Sequence, residues 1–466
     1  MNQSSTASLP PRPGPRTRLP ALPLVPQPVT RFLATEAGSG LMLLAGAVAA
    51  LVWANVPGAG YETFWATEAS IRIGDAGISL DLRHWVNDAA MAIFFLTVGL
   101  EINREITVGE LRRPRYVLVP VLGALGGVVV PALVYFAFNY GTPAERGWGI
   151  PISTDTAFLV GILALFGPRC PDQLRLFFLT LAIVDDIAAI TVMAVFYTPE
   201  LSMPALLVAV GLTAVLIVLR WAGVWRLRLY ALVGVALWIA VYESGVHATL
   251  AGVVIGLLVP ATPVDPRQRE RLRFYGRGLL EWADAQRARL TVLAARATVP
   301  ANDRMQDALH PVSAYLVVPV FALANAGVVL DGEALRRAVT SPVTIGIVVA
   351  LVAGKTVGIS LGTAAALRTG LGDLPGRVRY GHLIGGSALA GIGFTISLFI
   401  TDLAFEDPVL RDDAKIGVLA GSVLAAVVGS LALRYLGERL PLCSVDDDTG
   451  VPPLPSGPWR DPTARE

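Results

Sequence analysis

Long apolar stretches, Phe32–Trp53, Tyr116–Phe138 and Leu201–Leu219 among them, restrict this chain to one kind of environment. At a rise of roughly 1.5 Å per residue, each is about long enough to cross a ~30 Å hydrocarbon layer as a helix. A buried helix of a water-soluble protein would be shorter and would show a polar stripe. Composition points the same way. Charged residues make up 16% of the chain, hydrophobic residues 54%, and the mean hydropathy is +0.60. A soluble domain carries roughly 25% charged residues. The chain is therefore expected to be an all-α polytopic membrane protein.

About twelve spans of suitable length are expected, near 32–53, 85–100, 116–138, 150–166, 174–198, 201–219, 227–243, 245–260, 311–330, 342–367, 378–402 and 414–436. They define a transmembrane domain over 32–436. Residues 1–31 and 437–466, both rich in proline, read as disordered tails. The first 31 residues lack a continuous apolar core, so no cleavable signal is expected. Arg104, Arg112, Arg113 and Arg115 follow span two, Arg220, Arg226 and Arg228 follow span six, and many arginines follow span eight. The alternate connections are poorer in arginine and more acidic, Asp402–Lys415 above all. The positive-inside rule makes the arginine-rich side cytoplasmic, and both termini with it. Net charge is only +1, which gives no reason to expect a nucleic-acid partner. Cys170 and Cys443 support neither a disulfide framework nor a metal-ligand cluster, and no cofactor is expected.

Two connections have patterns of their own. Residues 70–82 alternate on both sides of Gly74-Asp75-Ala76-Gly77, as a β-hairpin does. The hairpin either lies on its own chain or pairs with a second copy to make a homodimer. Residues 261–303 read as a long, solvated cytoplasmic loop, with a basic helix at the membrane surface as the second possibility.

Charged side chains at mid-membrane cost roughly 2.5–3.5 kcal/mol each and mark function by default. Asp155 lies in Ile152-Ser153-Thr154-Asp155-Thr156-Ala157-Phe158, the pair Asp185-Asp186 in Leu181–Ile190, and Lys355 in Leu351–Gly358. Neighbours on a helix point about 100° apart, so one carboxylate of the pair can face an aqueous cavity and the other a partner helix. Hard alkali cations take oxygen ligands. A carboxylate removed from water holds a proton more readily. One site that holds either Na+ or H+ is the minimal physical basis of exchange. Lys355 and Lys415 are the only lysines among 37 basic residues. A lysine inside an apolar span suggests an amine that must lose its proton, which arginine does not do. Lys355 is expected to pair with an aspartate, and Lys415 to lie in a connection.

Spans four and eleven read as broken helices. The first begins at Pro151 and carries Ser153, Thr154, Asp155 and Thr156. The second contains Gly385-Gly386-Ser387 and Gly391-Ile392-Gly393. Interrupted spans mark midplane ion sites. Asp155 would then neutralise paired helix N-termini and Lys355 paired C-termini. Further polar candidates are Asp88, which starts span two as a functional carboxylate or as its cap; Glu101 and Glu105, four apart at the cytoplasmic mouth; His247 and His310; and Asn325. An intramembrane aspartyl protease needs its two carboxylates on facing helices, which adjacent aspartates do not provide. A channel usually needs a symmetric filter. A proton-coupled carrier of another small ion stays open as the alternative.

Taken together, Asn87-Asp88-Ala89, Val98–Glu101, Thr154–Phe158, Asp185-Asp186, Ser244–Ala251, Phe321–Gly327, Gly354–Ser360 and Gly391–Thr395 resemble the bacterial NhaA-type sodium/proton antiporters, in order and with similar spacing. That family is itself a standard example of inverted repeats with broken helices at a midplane site, so the broken-helix reading is not independent of it. The resemblance implies that Asp186 binds Na+ with Thr154 near the cation, that Asp185 pairs with Lys355, and that Thr154 and Asp155 sit where the broken helices cross. It also implies electrogenic exchange of one Na+ (or Li+) out for two H+ in, activation by pH, and location in the bacterial inner membrane. Glu101, Arg104, Glu105 and His310 match the family's pH-sensing region, and the outer hairpin matches its dimer contact. Gln306 and Asp307 depart from that region's acid and histidine.

Overall fold

A computed structural model describes residues 36–73, 76–109, 114–166, 171–198, 201–224, 226–261, 266–372 and 380–439. Hydrocarbon offers no partner to a backbone amide, so apolar stretches can satisfy themselves only as helices. The helices are α1 (Glu36–Asn55), α2 (Tyr61–Trp65), α3 (Leu82–Thr107), α4 (Pro114–Asn139), α5 (Thr156–Phe166), α6 (Pro171–Phe196), α7 (Met203–Trp221), α8 (Leu227–Glu243), α9 (Thr249–Leu258), α10 (Pro266–Glu281), α11 (Ala285–Ala297), α12 (Ala301–Asn325), α13 (Gly332–Thr340), α14 (Pro342–Arg368), α15 (Tyr380–Leu389), α16 (Phe394–Ala404) and α17 (Pro408–Arg439). Strands β1 (Glu68–Ile73) and β2 (Ala76–Asp81) pair antiparallel, with Ile71 opposite Ile78. The expected hairpin is therefore present; its Gly74-Asp75 turn lies outside the described residues.

Among the described residues, eight helices are long and apolar enough to cross a membrane, and a ninth span results if α15 and α16, bent by 48°, count as one. The expected twelve are not reached by that measure. The remaining candidates are short: α8, α9, and the broken segment that ends in α5. The tails 1–31 and 437–466 fall outside the described residues, apart from 437–439. So do both cysteines.

Two connections and one helix start differ from expectation. Residues 261–303 are largely helical, as α10, α11 and the start of α12. Their many arginines are good helix formers, so the segment is helical without a continuous apolar stretch. The acidic stretch Asp402–Lys415 contains only a short link, because Pro408 opens α17, and Lys415 is 4% exposed inside the protein. Asp88 does not cap its helix. Asp81 does, accepting from His84 N at 2.7 Å, while Asp88 sits in a widened π turn at Trp85–Ala90.

Glycines bring two helix pairs into backbone contact. A Cβ at Gly126 on α4 would collide with the carbonyl oxygen of Gly358 on α14, and the reverse holds equally. On α9, a Cβ at Gly252 would meet the Ala92 carbonyl of α3. Small residues allow the same approach between helices in lipid generally. A second widened turn, Ala350–Gly354, ends at Lys355, and such turns are frequent at functional sites. The contact at Gly358 therefore fixes α14 one turn beyond the buried lysine. Gly358→Val is expected to destabilise the protein by about 1–3 kcal/mol through overpacking, lowering the melting temperature in detergent. Val357→Ala, on an exposed face, should melt close to wild type; equal effects of the two would contradict the close-approach reading.

Candidate functional site

Two interrupted segments cross at the centre of the fold. The first runs from a tight 3-10 turn, Pro143–Ile152, through extended Ser153 to α5. The second runs from α15 through Ala390–Gly393 to α16. They lie antiparallel. Ser397 Oγ donates to Ile150 O at 2.6 Å, Thr154 Oγ1 to Ala390 O at 2.8 Å, and Asp155 N to Ile392 O at 2.6 Å. Each segment thereby satisfies backbone groups that the other's break leaves free.

The carboxylate of Asp155 serves both helix starts. Oδ1 accepts from Phe158 N of α5 at 3.3 Å. Oδ2 accepts from Thr395 N at 3.3 Å and Thr395 Oγ1 at 2.6 Å, on α16. A negative charge is stabilised at one helix N-terminus, and here two meet it. The C-terminal ends are shared differently from expectation. Lys355 Nζ donates to Ile152 O at 2.5 Å, but the carbonyl at Ala390 is served by the Thr154 hydroxyl.

Lys355 and Asp185 form an ion pair of 2.6 Å with both side chains 0% exposed. Asp186, one residue on, has a different surrounding. Its Oδ1 is enclosed and has no hydrogen-bond partner, and it lines a cavity of about 330 Å³ together with Thr154, Asp155 and Thr395. The cavity continues past Glu101 to Arg104, Glu105, Gln306 and His310. At this mouth Arg104 lies 3.8 Å from Asp303 and donates to Gln306 Oε1 at 3.5 Å. Gln306, where a departure from the resembling family stands, thus still accepts from Arg104.

Three candidates lie elsewhere. Asp88 accepts at its backbone carbonyl from Trp238 Nε1 at 3.0 Å. His247, between α8 and α9, donates through Nε2 to Tyr197 O at 2.6 Å, which ties two connections together. Asn325 exchanges amide contacts with Asn87, at 2.7 Å and 3.3 Å.

That amide pair belongs to a second polar group, whose Asp402–Lys415 pair sequence reasoning missed. Asn87 Nδ2 lies 3.5 Å from Asp402 Oδ2, and Asp402 pairs with Lys415 at 3.2 Å. Thr395, Phe399 and Asp402 recur at helical spacing on α16, so one face of that helix carries the Asp155 contact at one end and the second ion pair at the other. Phe399 lies between them, packed on Phe95 and Phe321. The available signal was Lys415 itself, the second of two lysines in an arginine-rich chain.

The profile of the Na+/H+ antiporter 1 family matches residues 30–433. The chain is 60% identical to Na(+)/H(+) antiporter NhaA 3 of Frankia alni, over 98% of this chain and 99% of that protein. It is 44% identical to Na(+)/H(+) antiporter NhaA 1 of Mycolicibacterium vanbaalenii, over 90% of this chain and 69% of that one.

Removing one partner of a buried ion pair costs on the order of 3–5 kcal/mol, because the other charge is left uncompensated. Lys415→Met should therefore lower the melting temperature clearly, and adding Asp402→Asn should recover most of the loss. Additive losses in the double variant would show that the pair is not coupled.

Proposed function

The chain belongs to the Na+/H+ antiporter 1 family, and from that membership we propose that it exchanges Na+ against H+ at the end of the cavity, on Asp186. It is a multi-pass membrane transporter and not an enzyme. One observation carries the assignment of the site. Of the three central aspartates, Asp155 and Asp185 each have an oxygen that accepts a hydrogen bond, whereas Asp186 accepts none among the described residues and, unlike Asp185, lines the cavity. A buried oxygen without a donor needs a proton or a cation.

Na+ entering the cavity binds Asp186 with Thr154 and displaces its proton. Lys355 is the second proton carrier. When Asp185 turns toward the cation, Lys355 loses its counterion inside an apolar wall and gives up a proton. One Na+ out for two H+ in follows, which moves net charge. Li+, smaller and equally oxygen-seeking, is accepted as well. Asp155 holds the crossing in place and completes the negative field. Glu101, Arg104, Glu105 and His310 line the entry and set the dependence on cytoplasmic pH. The arginine-rich mouth faces the cytoplasm of a bacterial cell, with both termini on that side. Among the described residues the hairpin β1–β2 pairs with no further strand, and a second copy pairs at its edge to form a homodimer.

Adding NaCl to everted vesicles should collapse a preformed pH gradient with wild type and not with Asp186→Asn. Collapse by the variant at the wild-type rate would remove Asp186 from the site, and no response of wild type to Na+ or Li+ between about pH 6.5 and 9 would remove the cation assignment. Lys355→Ala should change the charge moved per Na+ or the pH dependence; a variant indistinguishable from wild type in both excludes the second carrier. Replacing Glu68–Asp81 by a short flexible link should reduce the cross-linked dimer, and an unchanged dimer fraction would place the contact elsewhere.

A further inference from the structure

The exchange site makes no use of the helical pair between α9 and α12. Its two ends are held together: Asn302 N donates to Pro260 O at 3.0 Å, and the Asn302 side-chain amide to Leu100 O at 3.0 Å. From that base α10 and α11 turn back on one another, and Thr291 Oγ1 of α11 donates to Tyr275 O of α10 at 3.0 Å. Tyr275, Leu279 and Leu290 are half-buried along this contact. The outer surface is different. Phe274 is 73% exposed, Leu280 88% and Trp282 72%. Residues 266–299 also hold eight arginines against three carboxylates. One of those carboxylates is already engaged, because Asp284 caps α11 through Arg287 N at 2.8 Å and pairs with the Arg287 side chain at 3.5 Å.

We propose that this hairpin docks on the anionic phospholipid headgroups of the bilayer that the protein spans. Both of its ends continue into the membrane bundle, and α10 is only about 24 Å long at 1.5 Å per residue, so the membrane surface is always within reach. The exposed side chains are of the two kinds that this surface takes. Aromatic rings settle at headgroup level, and guanidinium groups pair with phosphate while anionic lipid attracts basic segments. Water alone gives no reason to expose Phe274, Leu280 and Trp282 together. The hairpin carries no central polar residue of the exchange site, so its docking stands or falls separately from the assignment of Asp186.

The test is a nitroxide at Leu280→Cys, with Cys170→Ser and Cys443→Ser, in full-length protein reconstituted into phosphatidylcholine liposomes with or without phosphatidylglycerol. With phosphatidylglycerol present, collisions with a water-soluble nickel complex should fall and collisions with oxygen should rise. Arg269→Gln, Arg271→Gln, Arg273→Gln and Arg277→Gln together should reverse the change, each arginine being worth on the order of fivefold in association near an anionic surface. Raised salt should weaken it as well. Na+-dependent proton movement by the same liposomes shows that each variant is folded. Equal nickel accessibility in both lipids overturns the proposal, as does a shift that the fourfold arginine substitution leaves intact. A label that becomes shielded only when cytosolic protein is added also overturns it, in favour of a protein partner.

Discussion

Asp155 accepts from the backbone N–H groups of two helices that begin in the middle of the protein, Phe158 on α5 and Thr395 on α16. Helix starts normally face water, where their free amides are solvated. Here both starts are buried, Asp155 and Thr395 being 5% and 4% exposed, and the two share one carboxylate. Around it Ser397, Thr154 and Asp155 N close the remaining carbonyls of the crossing, and Lys355 takes the carbonyl of Ile152. The crossing therefore puts exposed backbone ends, a lysine and three aspartates into one small volume. Helical structure elsewhere, from the glycine contact of α4 with α14 to the widened turn before Lys355, keeps that volume in place.

The three aspartates have similar burial and different neighbours. Asp155 is held by helix ends, Asp185 by Lys355, and Asp186 is left facing the cavity. A proposed division of labour follows directly: one aspartate for architecture, one for a switchable pair and one for the cation. On the far side, the aromatic contact of Phe95, Phe321 and Phe399 separates this volume from the Asp402–Lys415 pair. Among the described residues the cavity lining runs from Asp186 and Thr154 to Arg104 of α3 and His310 of α12. α16 runs from the Asp155 contact to Asp402, so a shift of that helix would be felt at both ends.

Much of this was legible in the sequence because membrane insertion makes charge and polarity rare. Asp155, Asp185, Asp186 and Lys355 stood out for their cost in lipid, and Gly391-Ile392-Gly393 marked a break in an otherwise apolar helix. The hairpin showed in its alternation. What escaped depended on partners far apart in the chain. Lys415 read as part of an acidic connection because nothing local shows that Pro408 starts a helix and that Asp402 turns inward toward it. Asp88 read as either a functional carboxylate or a cap, since a π turn has no local signature; the cap is Asp81, about two helical turns earlier. The pair α10–α11 read as loop because its arginines hide the helical period. Length and apolarity alone do not recover twelve spans among the described residues, because α8, α9 and the segment ending in α5 are short.

The central claim is that Na+ and H+ compete for Asp186. It is tested most directly by calorimetric Na+ titration of purified protein in two buffers of different ionisation enthalpy, which gives both binding and the protons released. Wild type should bind Na+ with proton release, more weakly as pH falls. Asp186→Asn should melt as a folded protein and show no Na+ binding. Na+ binding by Asp186→Asn at wild-type strength, or binding by wild type without proton release at any pH, would contradict a single site shared by the two ions.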